Sequence, residues 1–156
     1  MVIHKSIFII YNLCNPFLTL YMTGRNNPGA LPVNTYIQGC SAPPCSLPQL
    51  QDAVINVDFI TLQSMKTLAT AYLSIGLISI PIPYDLEENS VTCNFLTNAS
   101  CPVQGGQLLK YTLRMPIEPF FPVGTRVTIE FRVVDESNNN SLLCLRVPVL
   151  IVGPVA

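Results

Sequence analysis

The side chains able to do chemistry are few, and they are poorly placed for it. A nucleophilic serine or cysteine needs a base within hydrogen-bond reach, and the only histidine, His4, sits at the amino terminus in the least regular stretch of the sequence. The carboxylate pairs Glu87-Glu88 and Asp135-Glu136 fall in polar turns, where solvated charge is the ordinary explanation. Glycosidase chemistry would need two carboxyls facing each other across a cleft. Six cysteines stand at 14, 40, 45, 93, 101 and 144, but gaps of C-x4-C and C-x7-C with one histidine do not make a zinc site. Taken with the sequons Asn98-Ala-Ser100 and Asn139-Asn-Ser141, those cysteines read as disulfides of a secreted, glycosylated protein. The expectation is a protein with no enzymatic activity, no cofactor and no metal.

Composition says what such a chain does instead. At 156 residues it is long enough for one domain with a real core and too short for two comfortable ones. Charged residues make up 11% of it, against roughly 25% in an ordinary soluble domain. Apolar residues reach 49%, more than a solid core of this size needs, so the excess must line a membrane span, an interface or a cavity. With a net charge of −1 and its basic residues scattered singly, the chain has no stripe to neutralise phosphates and excludes nucleic acid as a partner.

The elements that must position these residues read as strands. Residues 1–22 form a separate, signal-like or misassigned segment in which Lys5 precedes an apolar stretch broken by Asn12, Asn15 and Pro16; the folded domain is 23–156. Turn formers from Arg25 to Pro32 precede a short strand, Val33 to Gly39, and Cys40-Ser-Ala-Pro-Pro-Cys45 reads as a tight loop closed by its own disulfide. Ala53 to Thr61 alternates with period two, and 67–80 forms another strand that ends at an edge or rim at Pro81-Ile-Pro83. Cys93 and Cys101 enclose a second stapled loop, and Leu108 to Leu113 is a further strand. Arg126 to Val134 shows the clearest alternation, with Arg126, Thr128, Glu130 and Arg132 toward water and Val127, Ile129, Phe131 and Val133 inward. After a polar turn, Leu143 to Val152 returns, Arg146 interrupting its apolar residues. About seven antiparallel strands make an all-β sandwich.

Two apolar, proline-rich rims stand out: Ile78 to Tyr84 and Met115 to Pro122. Proline at an edge protects it from pairing with another chain. Rims that cannot ladder together also let two sheets splay, leaving an apolar cleft in which each buried methylene of a ligand is worth about 0.8 kcal/mol. Tyr84, Phe120 and Phe121 are placed to gate that cleft or to touch a membrane.

The order of these pieces resembles the ML lipid-recognition family, above all its soluble sterol-carrier branch with many arthropod relatives; group 2 mite allergens are cousins. The likeness rests on Gly39-Cys40-x4-Cys45, on Ile80-Pro-Ile-Pro83 ahead of the Cys93/Cys101 pair, on Met115-Pro-Ile117 with Phe121-Pro122, and on Cys144-x-x-Val-Pro148. It covers roughly Arg25 to Val152. The resemblance implies an immunoglobulin-like sandwich with a ligand tunnel between its sheets, lined by Ile37, Ile80, Ile82, Pro116, Ile117, Phe121, Pro122 and Phe131. Tyr84 at the rim and the inward Ile129 complete the expected ligand-binding set. It also implies the Cys40–Cys45 and Cys93–Cys101 bridges, each worth about 2–3 kcal/mol.

Four departures from the family bear on specificity and on the third bridge. Ile82 stands where the sterol carrier has phenylalanine, Phe131 where it has tryptophan, and Phe121 where it has tyrosine, which makes a fatty acid or hydrophobic signal molecule as plausible a ligand as cholesterol. The family's first cysteine belongs near positions 22–24, which read Met22-Thr23-Gly24 here. Cys144 therefore either pairs with Cys14 or, if the first 22 residues are removed, stands unpaired. The expected protein is a secreted or lysosomal monomer carrying a sterol, fatty acid or similar lipid, with transient membrane or receptor contact. The alternative is a lipid-recognition protein that presents its ligand to an innate-immune or chemosensory receptor.

Overall fold

The computed structural model describes residues 32–60, 65–75, 78–103, 106–137 and 141–155. In chain order the strands are β1 (Asn34–Ile37), β2 (Cys45–Pro48), β3 (Asp52–Ile60), β4 (Met65–Ile75), β5 (Ile78–Tyr84), β6 (Leu108–Pro116), β7 (Arg126–Asp135) and β8 (Ser141–Val152). Two 3₁₀ turns, Glu87–Ser90 and Thr92–Phe95, lie between β5 and β6. The strands form two sheets, ordered β1-β3-β6 and β2-β8-β7-β4-β5. The all-β sandwich read from the sequence is the fold observed.

Alternation decides which faces meet. On β3, Ala53, Ile55, Val57 and Phe59 are buried, and the register sets them opposite Met115, Leu113, Tyr111 and Leu109 of β6, also buried. Against this face lies that of the larger sheet, where Val127, Ile129, Phe131 and Val133 of β7 pair with Val149, Val147, Leu145 and Leu143 of β8. Each fully buried side chain of this size contributes about 1.5–3 kcal/mol relative to exposure, so the interlayer core is the main support of the fold.

Several strand expectations change in detail. The span 67–80 is not one strand but most of a hairpin: β4 pairs antiparallel with β5, which continues through Pro81 and Pro83 to Tyr84. Because β5 is the sheet's edge, its prolines withhold no hydrogen bond that a further strand would need. The short β2 lies parallel to β8, so the described residues hold eight strands and the sandwich is not wholly antiparallel. Four residues that end in proline carry too little alternation to be read as a strand. The Cys40–Cys45 and Cys93–Cys101 bridges form as expected. The segment 1–22, the turn-rich run through Leu31, the Cys14 end of the third bridge and the Asn139 sequon lie outside the described residues.

One expectation is reversed. Glu130 and Arg132 do not face water: they are 4% and 7% exposed, and Arg146 of β8 is buried beside them. The Glu130 carboxylate accepts from Arg132 Nη2 at 2.9 Å through Oε1 and from Arg146 Nε at 2.7 Å through Oε2. Period-two patterning assigns a side chain to a face, but it does not say whether that face is wet. Burial of three charges on the outer face of β7 and β8 is tolerable because they are paired.

A chain of three buried hydroxyls ties the layers on the inner side. Thr67 Oγ1 of β4 lies 2.7 Å from Thr92 Oγ1 and 2.8 Å from the Tyr111 hydroxyl of β6. Burial pushes the Tyr111 phenol up to about 12 from 10.0, outweighing the lowering effect of the two threonines. In the unfolded chain the phenol ionises near its ordinary value of about 10, so unfolding releases a proton in the window between. The stability this contributes is complete below pH 10 and is lost as pH rises toward 12, about 2–3 kcal/mol in all. Urea midpoints measured across that range should fall more steeply for the native protein than for Tyr111→Phe.

Candidate functional site

The larger sheet has five strands among the described residues and the smaller three, and β5 is an edge of the larger one. The register sets Tyr84 in line with Ala69, Phe131 and Leu145, Ile82 in line with Ile129 and Val147, and Ile80 in line with Val127 and Val149. Directly opposed residues share a face, so Ile80, Ile82 and Tyr84 point the same way as the core residues of β7 and β8. Ile129, Phe131, Leu145 and Val147 are sealed, whereas at the β5 end Ile82 is 46% and Ile80 41% exposed. β6 is the edge strand of the three-stranded sheet, as β5 is of the larger one. Aliphatic side chains that belong to the core thus lead outward to water along the side of the sandwich.

The segment after β6 closes the end next to this flank. Its residues Ile117 and Phe121 are buried, like Met115 near the end of β6, while Phe120 is exposed. Backbone bonds fix it to the β2–β3 turn, Leu50 N–H donating to the Ile117 carbonyl at 2.8 Å and Ile117 N–H to the Gln51 carbonyl at 3.0 Å. The Gln49 side chain adds a bond from Nε2 to the Phe121 carbonyl at 2.6 Å. A four-residue β2 followed at once by a turn is what brings Gln49, Leu50 and Gln51 within reach.

Tyr84 joins the two sides of the opening. Its hydroxyl donates to the Pro116 carbonyl at 2.7 Å, linking the edge strand of one sheet to the edge strand of the other. Its ring lies 5.6 Å from Phe121 and 6.3 Å from Phe120, and those two stack at 4.5 Å. Burial, then the carboxylates of Glu118, Glu87 and Asp52, push the Tyr84 phenol up to about 12, so it stays a donor at physiological pH. Apolar walls held together by the Tyr84 hydroxyl can enclose hydrocarbon.

Of the residues singled out by sequence, Ile80, Ile82, Tyr84, Ile129 and Phe131 come together through the register, and Tyr84, Pro116 and Phe121 through direct contact. Ile117 is buried in the closing segment. Ile37 is buried too, but on β1, the strand of the smaller sheet farthest from β5. Pro122 is exposed. Sequence reasoning missed Gln49, whose only signal was its position after the Leu47-Pro48 end of β2. It also missed a depression of about 570 Å³ lined by Gln38, Gln51, Asp52, Arg114, Leu47 and Ile117, where Arg114 lies 3.9 Å from Asp52. That depression is rimmed by polar groups and does not include the β5 flank.

The chain is 26% identical over 122 residues to NPC intracellular cholesterol transporter 2 of Danio rerio, covering 78% of this chain and 77% of that protein. The protein of the same name from Canis lupus familiaris is 25% identical over 120 residues, covering 75% and 74%. The crystal structure of a Niemann-Pick type C2 protein from Japanese carpenter ant matches with a TM-score of 0.60 at 17% identity, over 78% of this chain and 91% of that one, a likeness of fold. The ML domain model matches residues 25–151, almost the whole span from the first turn formers to the end of β8, and the chain belongs to the ML domain family.

Proposed function

We propose that the protein is a lipid carrier that takes a sterol, fatty acid or similar hydrophobic ligand through the β5 flank into the space between its sheets. One observation carries this reading: the inward rows of the larger sheet are sealed at β7 and β8 but end half-exposed at Ile80 and Ile82. Exposed apolar side chains on an inner face gain from contact with hydrocarbon, at about 25 cal/mol for each Å² removed from water. The names of the curated relatives, cholesterol transporters, support the same class of ligand. The aliphatic and aromatic lining, without a nucleophile and base in contact, favours binding over catalysis. The Cys40–Cys45 and Cys93–Cys101 disulfides fit the oxidising, secretory route that such a carrier would take.

Transfer between vesicles tests the proposal. Donor liposomes holding a fluorescent sterol or fatty acid are mixed with unlabelled acceptors, and the protein should raise the transfer rate in proportion to its concentration. A rate equal to the spontaneous one for both probes would end the carrier reading. The Tyr84 tie then gives a kinetic expectation: Tyr84→Phe keeps the ring and removes the bond to Pro116. Probe release measured by stopped flow should speed up about fivefold, the equivalent of one hydrogen bond of roughly 1 kcal/mol.

A further inference from the structure

β6 is the outer strand of the three-stranded sheet, and its free edge is occupied by the stapled loop that Cys93 and Cys101 close. Leu96 bridges to Tyr111, and Thr97 N–H donates to the Lys110 carbonyl at 2.8 Å. The next step of this short ladder is made by a side chain instead of the backbone. Asn98 Nδ2 donates to the Leu108 carbonyl at 2.8 Å while its Oδ1 accepts from Lys110 N–H at 2.9 Å. One planar amide thereby satisfies two groups of an edge that would otherwise be open to another chain.

Asn98 is also the acceptor position of an Asn-Ala-Ser sequon. To meet a carbonyl and an N–H on the same strand edge, the amide must present its oxygen and the hydrogen cis to that oxygen side by side. Glycosylation forms a bond from Nδ2 to the anomeric carbon of a sugar, expels the lipid pyrophosphate of the donor and releases one Nδ2 proton. The product is a secondary amide, and such amides hold their substituent trans to the carbon chain, hence cis to the oxygen. The sugar would replace the hydrogen that Leu108 receives.

We infer that a glycan on Asn98 and the closed β6 edge exclude one another, so the folded protein uses Asn98 as an unmodified clamp despite its sequon. Ligand binding plays no part in this exclusion. The full chain, secreted from a eukaryotic host behind a host leader, is deglycosylated enzymatically in heavy-oxygen water and its peptides are weighed. The Asn98 peptide should be mostly unlabelled; a majority carrying the label would overturn the inference. Two substitutions separate clamp from sequon. Ser100→Ala removes the sequon and should leave the thermal midpoint unchanged, whereas Asn98→Ala also removes both bonds and should lower it by about 2–4 °C. Equal midpoints for the two variants would likewise overturn it.

Discussion

Replacing Glu130 by glutamine is expected to lower the unfolding free energy by about 3–5 kcal/mol, the largest loss among the substitutions considered. The carboxylate sits between two guanidinium groups, with Arg146 Nη2 at 2.7 Å and Arg132 Nη2 at 2.9 Å, and all three side chains are nearly excluded from water. Glutamine keeps the shape but presents an NH₂ group to one of the two arginines and removes the negative charge from both. In a sequence whose charged residues are only 11% of the total, three of them spent on one buried cluster is a large share. Urea unfolding followed by fluorescence or circular dichroism measures the effect. A loss below about 1 kcal/mol would mean that the cluster behaves like a solvated surface pair and that the outer face of β7 and β8 is wet after all.

Placing a carboxylate at the β5 flank should abolish most ligand binding while sparing the fold. Ile82 is half-exposed, so Ile82→Asp changes stability by no more than about 0.5 kcal/mol, as ordinary surface substitutions do. For hydrocarbon to reach the row that continues through Ile129, however, it must pass that side chain, and an ionised carboxylate resists losing its water. Affinity for a fluorescent fatty acid or sterol should fall about 10–100-fold, equivalent to about 1.4–2.8 kcal/mol. Titration of both proteins with the probe, alongside thermal melts, checks the two halves together. Unchanged affinity would move the entry away from β5.

Much of this architecture is legible in the residues. Val127, Ile129, Phe131 and Val133 alternate so regularly that β7 and its inner face follow from the sequence; the spacing of Pro81 and Pro83 marks an edge or rim there, though not that a separate strand, β5, runs through it. The aromatic cluster of Tyr84, Phe120 and Phe121 is also visible as two apolar rims. What sequence could not supply is which of these residues reach water. Only the structure shows that Ile80 and Ile82, in register with core residues of β7, are exposed, and the proposed entrance rests on that exposure.

Other features escaped for equally physical reasons. β2 is four residues long and parallel, so neither alternation nor a hairpin turn announces it. Glu130 and Arg132 sit at outward positions, and a binary pattern reads outward as wet. Thr67, Thr92 and Tyr111 are far apart in sequence and polar, hence indistinguishable from surface residues until the fold puts their hydroxyls within 2.8 Å. The Asn98 sequon is local in sequence, whereas the hydrogen-bond partners of its amide, Leu108 and Lys110, lie on β6 and are not announced by it.

Native mass spectrometry of the delipidated protein, titrated with a sterol and with a long-chain fatty acid, tests most directly whether hydrocarbon enters between the layers. The expected result is a saturable mass increase of one ligand per chain for at least one of the two lipids, lost in Ile82→Asp and retained in Glu130→Gln to the extent that it stays folded. A folded protein that gains no lipid mass at any concentration, or an Ile82→Asp variant that binds as well as the native chain, would contradict it.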